Sequence, residues 1–273
     1  MSQFRDRVVV ITGAGSGIGR ALALNLASQG AKLALSDMDS VGLAETTRQA
    51  EALGAEVKSD TLDVTQREAM FEYADAVVEH FGRVNQVYNN AGIAYHGEFE
   101  KAEFKDLERV VDVDFWGVVN GTKAFLPHLI ASGDGHLINV SSLFGLLGMP
   151  GQTAYNAAKF AVRGFTEALR IEMLIAKHPV QVTCVHPGGI KTAIARNATA
   201  GPGEDQETFA KFFDKKLARL SPESAATIIV KGVRKNKARV LVGADAKFLD
   251  IWVRLVASHY QGIVAKVASR VVP

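Results

Sequence analysis

Short apolar runs alternate with longer helix-patterned stretches along most of this chain, and that alternation restricts its fold more than any other feature. Runs at 7–11, 32–35, 56–58, 86–88, 136–140, 181–185 and 239–242 read as strands. Helical patterns at about 18–29, 40–53, 66–81, 103–132, 153–177 and 222–235 lie between them. The strand runs lack apolar/polar alternation, as expected when both sheet faces are covered. Repeated strand–helix–strand units predict parallel pairing through right-handed crossovers. The expected class is α/β: a doubly wound parallel sheet of about seven strands with helices on both faces.

Composition removes several alternatives. With 48% hydrophobic and 22% charged residues among 273, the chain can build a core and is not of the disordered class. Lys plus Arg number 31 and Asp plus Glu 29, so a net charge of +2 gives no electrostatic ground for a nucleic-acid partner. Cys184 is the only cysteine; set in a strand pattern, it reads as a buried small apolar residue, consistent with a reducing compartment. Seven histidines show no pair at i, i+4, so no metal site is expected. The polar opening residues give no leader-peptide pattern, and the charge-free stretch 135–158 is interrupted by Asn, Ser, Pro and glycines. A cytoplasmic protein is expected. Residues 1–244 read as one domain, within which 193–220, carrying Phe209, Phe212 and Phe213, reads as a lid loop. Ser221 and Pro222 then restart a helix as N-cap and first helical residue.

The first strand runs into Thr12-Gly13-Ala14-Gly15-Ser16-Gly17-Ile18-Gly19, and a helix follows. The spacing fits TGxxxGxG rather than GxGxxG. Glycine lets the chain turn tightly and lets a pyrophosphate approach the helix N-terminus, where the N–H groups of Ser16, Gly17, Ile18 and Gly19 are free. A Rossmann-type cofactor site is therefore expected. Asp37 ends the second strand 18 residues after Gly19. A carboxylate there accepts from ribose hydroxyls and repels a 2′-phosphate, and Ser16 and Met38 stand where a cation would be needed. NAD is preferred, with NADP as the lesser alternative.

Tyr155 and Lys159 are four residues apart, on one helix face. A free phenol titrates near ~10, and an ammonium at about 4 Å in a medium of dielectric ~20 supplies roughly 4 kcal/mol, about 3 pKa units, toward the phenolate. That suits Tyr155 to proton transfer. Polar residues also follow other strands: Asp63-Val64, Asn89-Asn90-Ala91-Gly92, Ser142, and Pro187-Gly188-Gly189-Ile190-Lys191-Thr192. They gather at the carboxyl ends of parallel strands, where open α/β sheets bind ligands.

Taken in order, these motifs make the chain resemble the short-chain dehydrogenase/reductase family, in its compact single-domain branch. The resemblance spans residues 7 to about 192. It implies Tyr155 as acid/base, Ser142 as hydrogen-bond partner of the substrate oxygen, and Lys159 as holder of the nicotinamide ribose. It implies Asp63 and Val64 beside the adenine and Asn90 in the central strand and cofactor pocket, with Ala91 and Gly92 of the Asn-Ala-Gly run beside it. It implies Ile190 and Thr192 at the carboxamide end, in the loop that opens at Pro187 and Gly188. It also implies an apolar substrate wall at 143–149, and a homodimer or homotetramer built across the helices at 103–132 and 153–177. Phe160, Phe165 and Leu169 are candidates for that interface. Tyr95 and His96 could line the substrate mouth.

Asp114 departs from the family pattern, which has Asn there. It either substitutes in the proton relay or draws Lys159 away from Tyr155 and raises the phenol pKa. The tail 245–273 lies beyond the resemblance. Phe248, Trp252, Leu255, Val256, Tyr260, Ile263 and Val267 recur at helical spacing, opposite Lys247, Asp250, Arg254, Ser258 and Gln261. Such an amphipathic helix can pack on the protein or a partner subunit, lie on a membrane surface as a peripheral contact, or cover the substrate mouth. The expected function is interconversion of a hydrophobic secondary alcohol and a ketone with NAD. The alternative is a non-catalytic, NAD-responsive binding or regulatory protein on the same fold.

Overall fold

The structure is a computed structural model that describes residues 4–212, 215 and 218–271. Residues 1–3, Phe213 and 272–273 lie outside it, as do the side chains of Phe209 and Phe212. The strands are β1 (Val8–Thr12), β2 (Lys32–Asp37), β3 (Val57–Thr61), β4 (Gln86–Asn89), β6 (Gly135–Val140), β7 (Val180–Pro187) and β9 (Arg239–Val242). They form one parallel sheet in the order β3-β2-β1-β4-β6-β7-β9. This is the doubly wound, Rossmann-like sheet expected from the alternation. Its order reverses between β1 and β4, so the chain leaves a crevice outside the carboxyl ends of those two strands.

Period-two side-chain alternation sends the apolar residues of the central strands to both faces of the sheet, whereas the edge strand β3 is polar and only partly buried. Val9, Ile11, Leu33 and Leu35 face the cluster that holds Leu22 and Leu26 of α1 (Gly17–Ala27) and Ile229 and Val233 of α8 (Pro222–Arg234). Val8, Val10, Val87 and Leu137 face the other side. There they meet Met70 and Val77 of α3 (Arg67–Phe81), Phe125 and Leu129 of α5 (Gly117–Ala131), and Leu169 and Met173 of α6 (Thr153–Ala176). Leu169, considered above for a subunit interface, thus belongs to this chain's own core. Phe165 packs beside it against Phe115, whereas Phe160 is exposed.

Three local features depart from the expected elements. The helix expected over 103–132 is α4 (Phe104–Val111) and α5 joined through a π-turn at Asp112–Trp116. That wider turn carries Asp114 into the interior. A second, two-stranded sheet pairs β5 (Tyr95–His96) with β8 (Thr199–Ala200), fastening the segment after β7 to the loop after β4. That segment also contains α7 (Gln206–Phe212). Neither short strand shows a sequence pattern, because two residues are too few for a period.

The tail helix is also interrupted. α9 (Ala244–Val256) ends at Ala257, whose φ of +48° lies in the left-handed region, and α10 (Tyr260–Val271) follows a 3₁₀ turn. Ala246, Leu249, Val253 and Tyr260 face inward onto Leu143, Leu146 and Leu147, while Phe248, Leu255, Ile263 and Val267 are exposed. Of the apolar face expected from the spacing, Tyr260 packs inward; the other inward positions, Ala246, Leu249 and Val253, lie off it.

Asn89, at the end of β4, joins the central strands to α5. Its Nδ2 donates to Asn139 Oδ1 at 2.9 Å and to Thr122 Oγ1 at 3.1 Å, all in the buried interior. Asn89→Ala leaves these acceptors unsatisfied. It is expected to cost about 1–3 kcal/mol in urea unfolding, and an unchanged midpoint would refute the role.

Candidate active site

The glycine loop between β1 and α1 is shaped by close backbone approach. Gly13 has φ +66°, and a Cβ on it would lie 2.7 Å from Ala91 Cα. A Cβ on Gly19 would lie 2.0 Å from the Gly13 carbonyl oxygen. Asn90 Nδ2 holds the same loop, donating to Thr12 O at 3.0 Å and Gly13 O at 3.2 Å. Ser16, the N-cap of α1, makes no capping bond with its side chain, and no acidic residue stands in the first turn. The N-terminal N–H groups around Ser16, Gly17 and Ile18 are thus arranged for an external anion. These features fit the pyrophosphate of a dinucleotide.

Asp37 lies beside that loop. Its Oδ2 accepts from Gly15 N–H at 2.7 Å and its Oδ1 from Asp39 N–H at 2.9 Å. Arg20, the cation that α1 brings to this end, points its guanidinium at the carbonyls of Gly15 and Gly42 and at Thr46 Oγ1. Asp63 Oδ1 accepts from the backbone N–H and hydroxyl of Thr65, both at 2.9 Å. Val64 is buried against Gly117, and its carbonyl accepts from Asn120 Nδ2 at 3.0 Å. On the other side of the crevice, Thr192 packs against Gly17, where a Cβ would lie 3.1 Å from Thr192 Cγ2. Ile190 is buried nearby in the strand-to-loop turn that begins at Pro187 and Gly188.

Tyr155 and Lys159 lie in the first turns of α6, and both side chains are buried. Lys159 Nζ stands 5.5 Å from the Tyr155 ring centroid. It donates to Val140 O at 3.3 Å and meets Asp114 Oδ2 at 2.9 Å. Asp114 Oδ1 accepts from Ile93 N–H at 2.8 Å. A Cβ on Gly92 would come within 3.3 Å of both Asp114 Oδ2 and Lys159 Nζ, so glycine there keeps the pair closed. Ser142, at the end of β6, faces Tyr155 and accepts from Phe144 N–H at 3.1 Å.

The electrostatics follow from burial. Burial raises the Tyr155 pKa above the ordinary phenol value; Lys159 opposes this, Asp114 adds to it, and the Ser142 hydrogen bond opposes it. The net direction is upward. Lowering of Tyr155 by Lys159 is present, but it does not prevail against burial and the Asp114 charge. Burial also raises Asp114, against the pull of Lys159 and Ile93 N–H. Burial disfavours the Lys159 ammonium, yet Asp114 and Tyr155 hold its pKa above the usual lysine value.

Several residues that serve this arrangement carry no motif of their own. Asn156, on the turn between Tyr155 and Lys159, donates to Phe144 O at 2.7 Å and Leu147 O at 2.8 Å and accepts from Met149 N–H at 3.0 Å. It pins the whole apolar segment after Ser142. Gln152 holds His96, Nε2 to Nδ1 at 3.3 Å, and His96 Nε2 lies 3.5 Å from Glu204 Oε2. His186 is fully buried, its Nδ1 3.0 Å from Ser142 O, and burial lowers its pKa to about 4. Burial lifts the Cys184 thiol to about 12, so it stays protonated and unreactive. Among the described residues, no three His, Cys, Asp or Glu side chains are grouped to hold a metal ion, and no helix is long and apolar enough to cross a membrane.

The family model for short chain dehydrogenases matches residues 7–203. The chain belongs to that family of oxidoreductases. It is 69% identical over 273 residues to SadH of Mycobacterium tuberculosis, a protein assigned as an oxidoreductase, covering 100% of this chain and 99% of that one. Among solved structures it is similar to a short chain dehydrogenase/reductase from Burkholderia phymatum in complex with NAD, at 32% identity and TM-score 0.83, over 88% of this chain and 90% of that one. It is also similar to an alcohol dehydrogenase from Thermococcus sibiricus complexed with 5-hydroxy-NADP, at 27% identity and TM-score 0.74, over 87% and 96% of the two chains.

Replacing Asp114 by Ala strands the Lys159 ammonium in the interior. The expected cost is about 3–5 kcal/mol in equilibrium unfolding. A loss below about 1 kcal/mol, the range of an exposed pair, would show that the two charges do not depend on each other.

Proposed function

We propose that this chain is an NAD-dependent oxidoreductase that interconverts a hydrophobic secondary alcohol and its ketone. One observation carries the reading: Ser142, Tyr155 and Lys159 converge beside the crevice that the glycine loop opens. When bound, the nicotinamide supplies or accepts the hydride. The protein's part is orientation and proton handling. Tyr155 gives its proton to the ketone oxygen in reduction and removes the hydroxyl proton in oxidation. Ser142 hydrogen-bonds that oxygen as charge develops on it. Lys159 holds the nicotinamide ribose. Asp114, whose carboxylate meets Lys159 directly, tunes the proton step.

NAD is favoured over NADP because Asp37 presents a carboxylate at the ribose end, while Arg20 is engaged with carbonyls rather than left for a phosphate. Asp63 and Val64 take the adenine, and Ile190 and Thr192 the carboxamide end. An apolar substrate is supported by Phe144, which stands edge to face with Tyr155 at 6.1 Å, and by Ile93 and Ile194 packed in the same cluster, whereas Leu143, Leu146 and Leu147 are taken up by the tail. The segment 193–220 serves as its lid. Exposed Phe104, Trp116 and Phe160 on the α4–α6 side support a homo-oligomer. The outer face of α9, with Phe248, Ile251 and Leu255 exposed, supports a peripheral membrane contact.

A panel of secondary alcohols and ketones, run with NAD(H) and NADP(H) in parallel and followed by reduced-cofactor absorbance, tests activity, cofactor and substrate class together. Tyr155→Phe is expected to lower kcat by about 10²–10⁴-fold. An inert panel together with unchanged behaviour of Tyr155→Phe would favour a cofactor-responsive binding protein instead.

The pH dependence follows from the sign of the Asp114 effect. Oxidation needs the phenolate, so its rate rises with pH through the Tyr155 pKa. The Asp114 charge holds that pKa up. Asp114→Asn removes the charge, and the midpoint of the oxidation profile should move down in pH. An unmoved profile, recorded as kcat/KM against pH, would sink this assignment.

A further inference from the structure

The loop after β7 is tied to the tail by a contact that none of the motifs describes. Gly188 N–H continues the β7–β9 ladder, donating to Val242 O at 2.9 Å. The next N–H, that of Gly189, donates to Asp245 Oδ2 at 2.8 Å. Asp245 stands in the first turn of α9, so its carboxylate also lies at the helix end that favours negative charge. Room for it is built by two glycines. A Cβ on Gly188 would lie 2.3 Å from both Asp245 carboxylate oxygens, and a Cβ on Gly243 would lie 2.3 Å from Oδ1. Gly243 itself has φ +107°, which aims the chain from β9 into α9 at this angle. A side chain on either glycine would displace the Asp245 carboxylate.

The far end of the same loop reaches the cofactor crevice, where Thr192 lies on Gly17. Its flank is held by the segment before α8: Lys191 N–H donates to Leu220 O at 2.9 Å, and Arg219 N–H to Gly189 O at 3.0 Å. The loop is therefore fixed on the side toward α8 by backbone bonds and on the side toward the tail by one carboxylate. A charge-assisted bond to a backbone N–H is among the stronger single contacts available for such a task.

We propose that Asp245 is a positioning residue for cofactor binding: acting through Gly189, it sets the loop that receives the nicotinamide half of the dinucleotide. The tail is then part of the cofactor site. The inference rests on the cofactor reading above and deepens it.

The test measures NADH and ADP-ribose binding to the full-length protein, by NADH fluorescence and calorimetry. ADP-ribose shares the adenine and pyrophosphate contacts but lacks the nicotinamide. Asp245→Ala should weaken NADH about tenfold and leave ADP-ribose within about twofold. Asp245→Asn keeps an acceptor at the same reach and should restore NADH to within about threefold of wild type. Asp245→Ser keeps a polar side chain in the first turn of α9 but is too short for Gly189, so it should behave like Asp245→Ala; it also carries the test if Asp245→Ala does not fold. Equal loss of both ligands, or no loss of either, in the Ala or Ser variant would overturn the proposal, as would Asp245→Asn binding as weakly as they do. Wild-type protein that binds neither ligand would overturn the cofactor reading along with it.

Discussion

Everything in this molecule depends on a parallel sheet that is buried on both faces. Such a sheet has no solvated surface on which to display polar groups, and its strands accordingly carry apolar side chains in both directions. Chemistry can reside only where strands end. The reversal of strand order between β1 and β4 opens a crevice at one of those ends, and the loops after successive strands converge on it. Thr12–Gly19, Asp37, Asp63, Asn90, Ser142 and the loop from Pro187 to Thr192 are neighbours because the sheet leaves them no other place.

At that crevice the polar groups are held by each other. Asn90 fastens the glycine loop, Asn89 ties β4 to β6 and α5, and Asn156 pins the segment after Ser142. The costliest member is the Asp114–Lys159 pair, since both charges are removed from water. Its geometry is supplied by the π-turn, which places the carboxylate under the loop after β4 while Ile93 N–H satisfies its second oxygen. The pair links two helices and a loop beside the buried Tyr155 phenol. One buried charge therefore has both a structural and an electrostatic consequence.

The surroundings of the site come from sequence-distant pieces. The short β5–β8 ladder fastens the segment around Thr199 next to His96, and the tail lays Leu249, Val253 and Tyr260 over Leu143, Leu146 and Leu147. Tyr260 hydroxyl accepts from Gly148 N–H at 3.0 Å, so the tail touches the apolar segment after Ser142 as well as the loop after β7. Trp252 and Tyr260 meet edge to face across the break between α9 and α10. A segment beyond the matched residues 7–203 thus contacts two sides of the site that those residues form.

The sequence by itself determined the sheet, the crossover helices, the glycine loop, and the Tyr155–Lys159 spacing. Each of these is a local regularity: a period of side chains, a φ that only glycine adopts readily, a four-residue step along one helix face. It also exposed Asp114 as the departure from the family pattern. Tertiary structure decided the rest, because it depends on which distant groups meet. Ion pairing of Asp114 with Lys159 needs the π-turn, and no side-chain period announces one. The inward face of the tail, Ala246, Leu249, Val253 and Tyr260, is singled out only by contact with Leu143, Leu146 and Leu147. Asp245 looks like an ordinary first-turn carboxylate until folding brings Gly189 and two side-chain-free positions around it. Local pattern fixes the elements, but hydrogen bonds between residues 56 apart in the chain exist only once those elements have packed.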